Sequence, residues 1–348
     1  MSAVRAAQAL SRAKTCLHQS RYAAAASAAL EGLSHTCHSS HAATVRLQLL
    51  NARANAQQMG GLIVEAHDTL EEALDLALTT ARSGAADDDY IGIGGCLIDL
   101  AANHIKRGST DTADAALRRA QYMLKRAYRP SSSAHACLLN VRGLLHEARG
   151  EHQSAFDAHQ ESHSALVGCS ADQPHSLVWV QAARSGSVWA LLQMGKVDAA
   201  QMLAAADVAR LHDDRAAAWP PRERHIACSL SALTDLQRAF CGRPPEKAGV
   251  REAALELRRV AADMAELVDS DDHEDVTLAR RNAEVASRLD KGLDQSVEQS
   301  AAEDQDGLIL REILRERHWQ PALGVGLAAP FTAPDQTTTQ GDNHRWSG

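Results

Sequence analysis

The sequence predicts an all-α fold in which one helical hairpin recurs along most of the chain. Three observations predict it. Aromatic residues make up only 3% of the 348 residues while apolar residues make up 45%, so the core must be built from Ala and Leu, which favour helix and permit close helix packing. No apolar run alternates with period two over the length of a strand. At five points a Gly, or a Ser in its place, is followed five residues on by Ala: Ser20 and Ala25, Gly61 and Ala66, Gly108 and Ala113, Gly150 and Ala155, Gly195 and Ala200. Successive turns stand 41, 47, 42 and 45 residues apart. Self-similarity at such a period marks a helical repeat array.

Each repeat reads as helix, short turn, helix. The Gly supplies the left-handed backbone of the turn, and the Ala lets the second helix approach the first. The first helix carries Ala3, Ala6, Leu10, Ala13 and Leu17 on one face, and the Ala-rich run from Ala23 to Ala29 follows as its partner. Beyond Gly195 the pattern loosens. A helix from Asp198 to Leu211 runs into a loop that Pro220 and Pro221 impose to about Arg222. Helices are expected over about 223–240 and 250–268, the latter with Leu257, Val260, Ala261 and Met264 inward, making a sixth, stretched unit. The acidic segment 269–276 leads into a helix with Val276, Ala279, Ala283, Ala286 and Leu293 on one stripe, and a last helix covers about 306–318. The chain thus divides into an array over 1–268, a helical cap over 269–318 and a Pro-, Gly-, Thr- and Gln-rich tail over 319–348, expected to be disordered.

The net charge of −8 argues against nucleic acid as the main partner. No apolar run reaches the roughly 20 residues of a membrane span. Seven Cys at scattered positions, with no C-x-x-C pair, read as small packing groups of a reduced, cytoplasmic protein. The stretch from Met1 to Leu30 holds no acidic residue and is basic at Arg5, Arg12, Lys14 and Arg21, which leaves a mitochondrial or plastid address as the alternative.

The segment from Gly143 to His163 concentrates His146, His152, His159 and His163 with Glu147, Glu151 and Glu161. A zinc-protease motif needs two His four apart on one helix face. His146 and His152 are six apart with Gly150 between them, so the segment is not read as that motif. Of the other candidates, His35, Cys37, His38 and His41 lack a second Cys pair to complete a zinc site and read as loop. Residues 91–95, IGIGG, have no preceding strand and read as a small-residue helix contact rather than a phosphate loop. Asp87, Asp88 and Asp89 read as a helix start. No nucleophile signature occurs.

The Gly–Ala turns, with Gly143 seven residues before Gly150, resemble the tetratricopeptide repeat family over about residues 3–268, with a period longer than that family's 34 and helices lengthened accordingly. The resemblance implies a right-handed α-solenoid with C-terminal capping helices. It places His146, His152 and His159 at the positions of large packing residues, so these His are expected to stand in for rings between paired helices. It also implies a concave groove lined by the first helix of each hairpin. The groove positions include Asn51, Asn55, Gln58, Lys106, Asn140, Glu147, Trp189 and Gln193. Asn side chains suit the backbone of an extended peptide, and Trp189 is either a groove anchor or core. The Lys–Asn pairing of chaperone-tail clamps is missing, with Leu10 and Lys14, then Asn51 and Asn55, in its slots. The expectation is a non-catalytic scaffold or adaptor, a subunit of a larger assembly, with protein partners and without metal or cofactor. The alternatives are a peptide-sensing regulator and a metal-dependent protein using His146 to His163.

Overall fold

The computed structural model describes residues 2–36, 40–82, 87–127, 132–167, 174–211, 221–241, 247–267 and 274–295. Among them are thirteen helices and no strand: α1 Ser2–His18, α2 Tyr22–Ser34, α3 Ser40–Met59, α4 Ile63–Arg82, α5 Asp87–Lys106, α6 Thr110–Arg126, α7 Ser132–Ala148, α8 His152–Val167, α9 Pro174–Gln193, α10 Val197–Leu211, α11 Pro221–Cys241, α12 Lys247–Leu267 and α13 Glu274–Gln295. The helix expected over 306–318 and the tail from 319 lie outside the described residues, as do Cys37 and His38.

All five expected turns have one geometry. Ser20, Gly61, Gly108, Gly150 and Gly195 have φ between 59° and 80°. At Gly108 the turn residue's N–H bonds Ile105 O at 2.9 Å and the next N–H, of Ser109, bonds His104 O at 2.8 Å. The same pair of bonds recurs at the other four turns. This is the Schellman arrangement, which satisfies the last carbonyls of the first helix. A Cβ added at Gly61, Gly108 or Gly195 would meet nothing within 4 Å, so glycine stands there for its backbone freedom and not for space. The N–H of the Ala five residues on closes the first bond of the second helix, as in Ala113 N–H to Ser109 O at 3.0 Å. Ala25, Ala66, Ala113, Ala155 and Ala200 are all completely buried.

Consecutive helices pack against each other throughout, and odd-numbered helices also pack on odd-numbered ones: α1 on α3, α5 on α7, α7 on α9, and α9 on α11. Each even-numbered helix lies between the two odd ones that flank it. The result is an all-α, solenoid-like stack of six hairpins followed by α13. Its middle core draws Leu97, Leu117, Leu138, Leu144 and Leu166 from successive helices, and its C-terminal core runs from Val188 through Leu233 and Leu257 to Leu289. The first helix buries Ala6, Leu10 and Ala13 and leaves Val4, Gln8, Ser11, Arg12 and Thr15 exposed. The loop expected to run to Arg222 is shorter, because Pro221 opens α11. Proline is suited to the first helical position, where its missing N–H would have had no partner. Glycines in the IGIGG stretch make helix contacts as expected, and a Cβ at Gly94 would meet Leu124 of α6 at 2.8 Å.

Candidate functional site

The expected groove residues fall into three environments. Asn51, Asn55 and Gln58 line one side of α3 and are at most 2% exposed. Asn51 Oδ1 faces Cys96 Sγ of α5 at 3.9 Å. The Nδ2 groups of Asn51 and Asn55 and the Nε2 of Gln58 find no acceptor among the described residues. Buried amide N–H groups are nearly always paired, and an orphan costs roughly 1–3 kcal/mol. Buried polar atoms without a partner among the described residues stand on other helices too, at Ser229 and Gln237 of α11 for example. Beside the α3 amides, Thr69 of α4 donates to Gln57 Oε1 at 2.8 Å, and Asn103 of α5 donates to Ile63 O at 2.9 Å while its own Oδ1 finds no donor among the described residues.

Asn140 and Glu147 belong to a second environment, built around His159. This imidazole is fully buried. Its Nδ1 lies 2.7 Å from Asn140 Oδ1 and its Nε2 lies 3.1 Å from Glu147 Oε1. Both ring nitrogens thus face side-chain oxygens, and which of them donates is set by the tautomer. Two glycines make the slot: a Cβ would meet the ring at 2.6 Å from Gly143 of α7 and at 2.5 Å from Gly186 of α9. His159 thus fills the inter-helix position expected of a large packing residue. His146 and His152 are half-buried at the helix–turn boundary instead, with His146 Nδ1 paired to Glu151 Oε2 at 2.6 Å. His163 is also half-buried, and burial followed by Arg184 and Arg210 holds its pKa below the usual range. Among the described residues no group of three His, Cys, Asp or Glu is placed to hold a metal ion.

The third environment is that of Trp189, which the sequence leaves open between groove anchor and core. Trp189 is 4% exposed and packs in the C-terminal core with Leu230 and Leu233. Every residue of α9 from Gln181 to Ala190 is buried, because α7, α8, α10 and α11 surround it. A ring on a helix covered on all sides has no groove to face. Lys106 and Gln193, the last residues of α5 and α9, are partly exposed.

The same burial of α9 produces a pair the residue pattern did not single out. Arg184 and Asp207 of α10 are both buried and ion-paired through Arg184 Nε and Asp207 Oδ1. Burial pushes the Asp207 carboxyl up, against the pull of Arg184. Its signal was available: Arg184 is the single charge in the stretch from Leu177 to Leu192, and a charge buried there needs a counter-ion. Cys96 is enclosed and its thiol is pushed up by burial and by Asp99, which leaves it without thiolate chemistry.

No described helix is long and apolar enough to cross a membrane. No protein-family model matches the chain, and no curated protein matches it.

Proposed function

We propose that this chain is a non-catalytic protein-binding scaffold of the tetratricopeptide-like kind, acting in the cytoplasm as a subunit of a larger assembly. The observation that carries the reading is the row of unpaired amides on α3. Asn51, Asn55 and Gln58 each bury an N–H group without an acceptor among the described residues, and a partner's main-chain carbonyls supply what is missing. Because these groups are buried, the partner segment enters by parting α3 from its neighbours. Flexing of an array whose repeats touch only their neighbours allows this. The groove is therefore narrower than the sequence positions imply: Trp189 leaves it, and Asn140 and Glu147 serve His159. Lys106 and Gln193 stay at its edge.

The test is affinity purification with mass spectrometry of the parent chain beside a chain carrying Asn51→Ala and Asn55→Ala, with circular dichroism on both. A stoichiometric protein bound by the parent and lost by an equally folded variant is the expected result. Retention of that protein by the variant removes α3 from the binding face. Absence of any stoichiometric protein, together with bound zinc, overturns the scaffold reading.

A further inference from the structure

The even-numbered helices leave a second feature that does not depend on the amides of α3. Helices α4 and α6 are held apart by α5, and a cleft of about 350 Å³ opens between the three. It exists because α6 presents Ala115 and Ala116 where longer side chains would close it. Its floor is apolar, formed by Leu74, Leu97 and Leu100. Its two walls carry opposite charge: Glu71 and Asp75 on α4, and Arg119 on α6.

These charges do not neutralise each other. Glu71 lies 3.4 Å from His67 and also acts on the His104 imidazole. Asp75 and Arg119 make no ion pair among the described residues, whereas the adjacent Arg118 is taken by Asp114 at 2.8 Å. His104 closes one end of the cleft, with the His67 ring edge-on at 5.1 Å. Burial, and the neighbouring His67, hold His104 below the usual imidazole range, so at neutral pH it offers a neutral donor and acceptor. A concave space of this size with an apolar floor and a few convergent polar groups is the common form of a small-molecule site.

We propose that this cleft binds a small zwitterion bearing an apolar side chain, a free amino acid or a short peptide. Its ammonium lies against Asp75 and Glu71, its carboxylate against Arg119, and its side chain on Leu74, Leu97 and Leu100. A ligand with both charges bridges walls that no side chain spans, and therefore links the second hairpin to the third.

The experiment is calorimetric titration of the full chain with L-leucine, with the dipeptide leucyl-leucine, and with N-acetyl-leucine and leucinamide, which each lack one charge. Saturable binding of L-leucine or the dipeptide at millimolar concentration or below is expected, and the tighter of the two identifies the source. Both singly charged compounds, and the variants Asp75→Asn and Arg119→Ala, bind severalfold more weakly. Ala116→Leu fills the cleft and abolishes binding. Asp75 and Arg119 are exposed, so their variants report even where Ala116→Leu perturbs folding. Absence of saturable binding, equal binding of the singly charged compounds, or indifference to both charge variants overturns the proposal.

Discussion

Gly186 of α9 lies against the imidazole of His159 of α8, so close that a Cβ at 186 would meet Nε2 at 2.5 Å. Gly143 does the same from α7, at 2.6 Å from Cε1. The ring is fully buried and tied at both nitrogens, so it has little room to yield. Gly186→Ala and Gly143→Ala are each expected to destabilise by about 1–3 kcal/mol through overpacking. Gly108→Ala differs in cause: it meets no atom and costs about 1–2 kcal/mol through its left-handed backbone alone. Urea denaturation, combined with His159→Ala, separates the two. Making room at 159 relieves Gly186→Ala and leaves the cost of Gly108→Ala unchanged.

The Ala after each turn is the second point of close packing. Ala113→Leu and Ala155→Leu are expected to cost about 1–3 kcal/mol each, since both positions are fully buried between paired helices. The two lie in different hairpins, so their costs add to within about 0.5 kcal/mol in the double variant. Parent-like denaturation of both would contradict the observed register.

Acid should weaken the fold through its half-buried His. His104, His163 and His225 all have pKa values held below the ordinary 6.5, in each case by burial first. The unfolded chain therefore binds more protons than the folded chain between the folded values and 6.5. Stability rises with pH through that window and is lost as the pH falls through it. Replacing His163 by Gln is expected to flatten the slope of melting temperature against pH below 6.5. An unchanged slope shows that His163 does not contribute.

The amides of α3 give a stability prediction of opposite sign to most core substitutions. Asn55 is buried with an Nδ2 that finds no acceptor among the described residues, and removing such a donor lifts the roughly 1–3 kcal/mol that leaving it unpaired costs. Asn55→Leu is expected to leave the isolated chain at least as stable as the parent in urea while weakening partner capture. A loss of more than about 1 kcal/mol shows that the amide is satisfied in the fold and is not held for a partner.

By itself the sequence determined the helices and the turns. Those are local decisions: low aromatic content, Ala-rich runs, a left-handed residue every forty-odd positions and an Ala five residues later act over a few residues of chain. Ser20, the non-glycine at a turn, adopts φ 59° in the same hydrogen-bonded geometry, so the register was legible even where its commonest residue was absent. Tertiary structure decided which side of each inner helix meets solvent, because that depends on how many neighbours a helix acquires. Trp189 and Arg184 sit on a helix enclosed by four others, and so became core and buried ion pair. Asn140 and Glu147 turned to His159 because two glycines, one 16 residues before it and one 27 residues after it, opened a slot for the ring. The cleft between α4 and α6 was likewise invisible in one dimension, since its acidic wall, its basic wall and its floor come from three helices that only packing brings together.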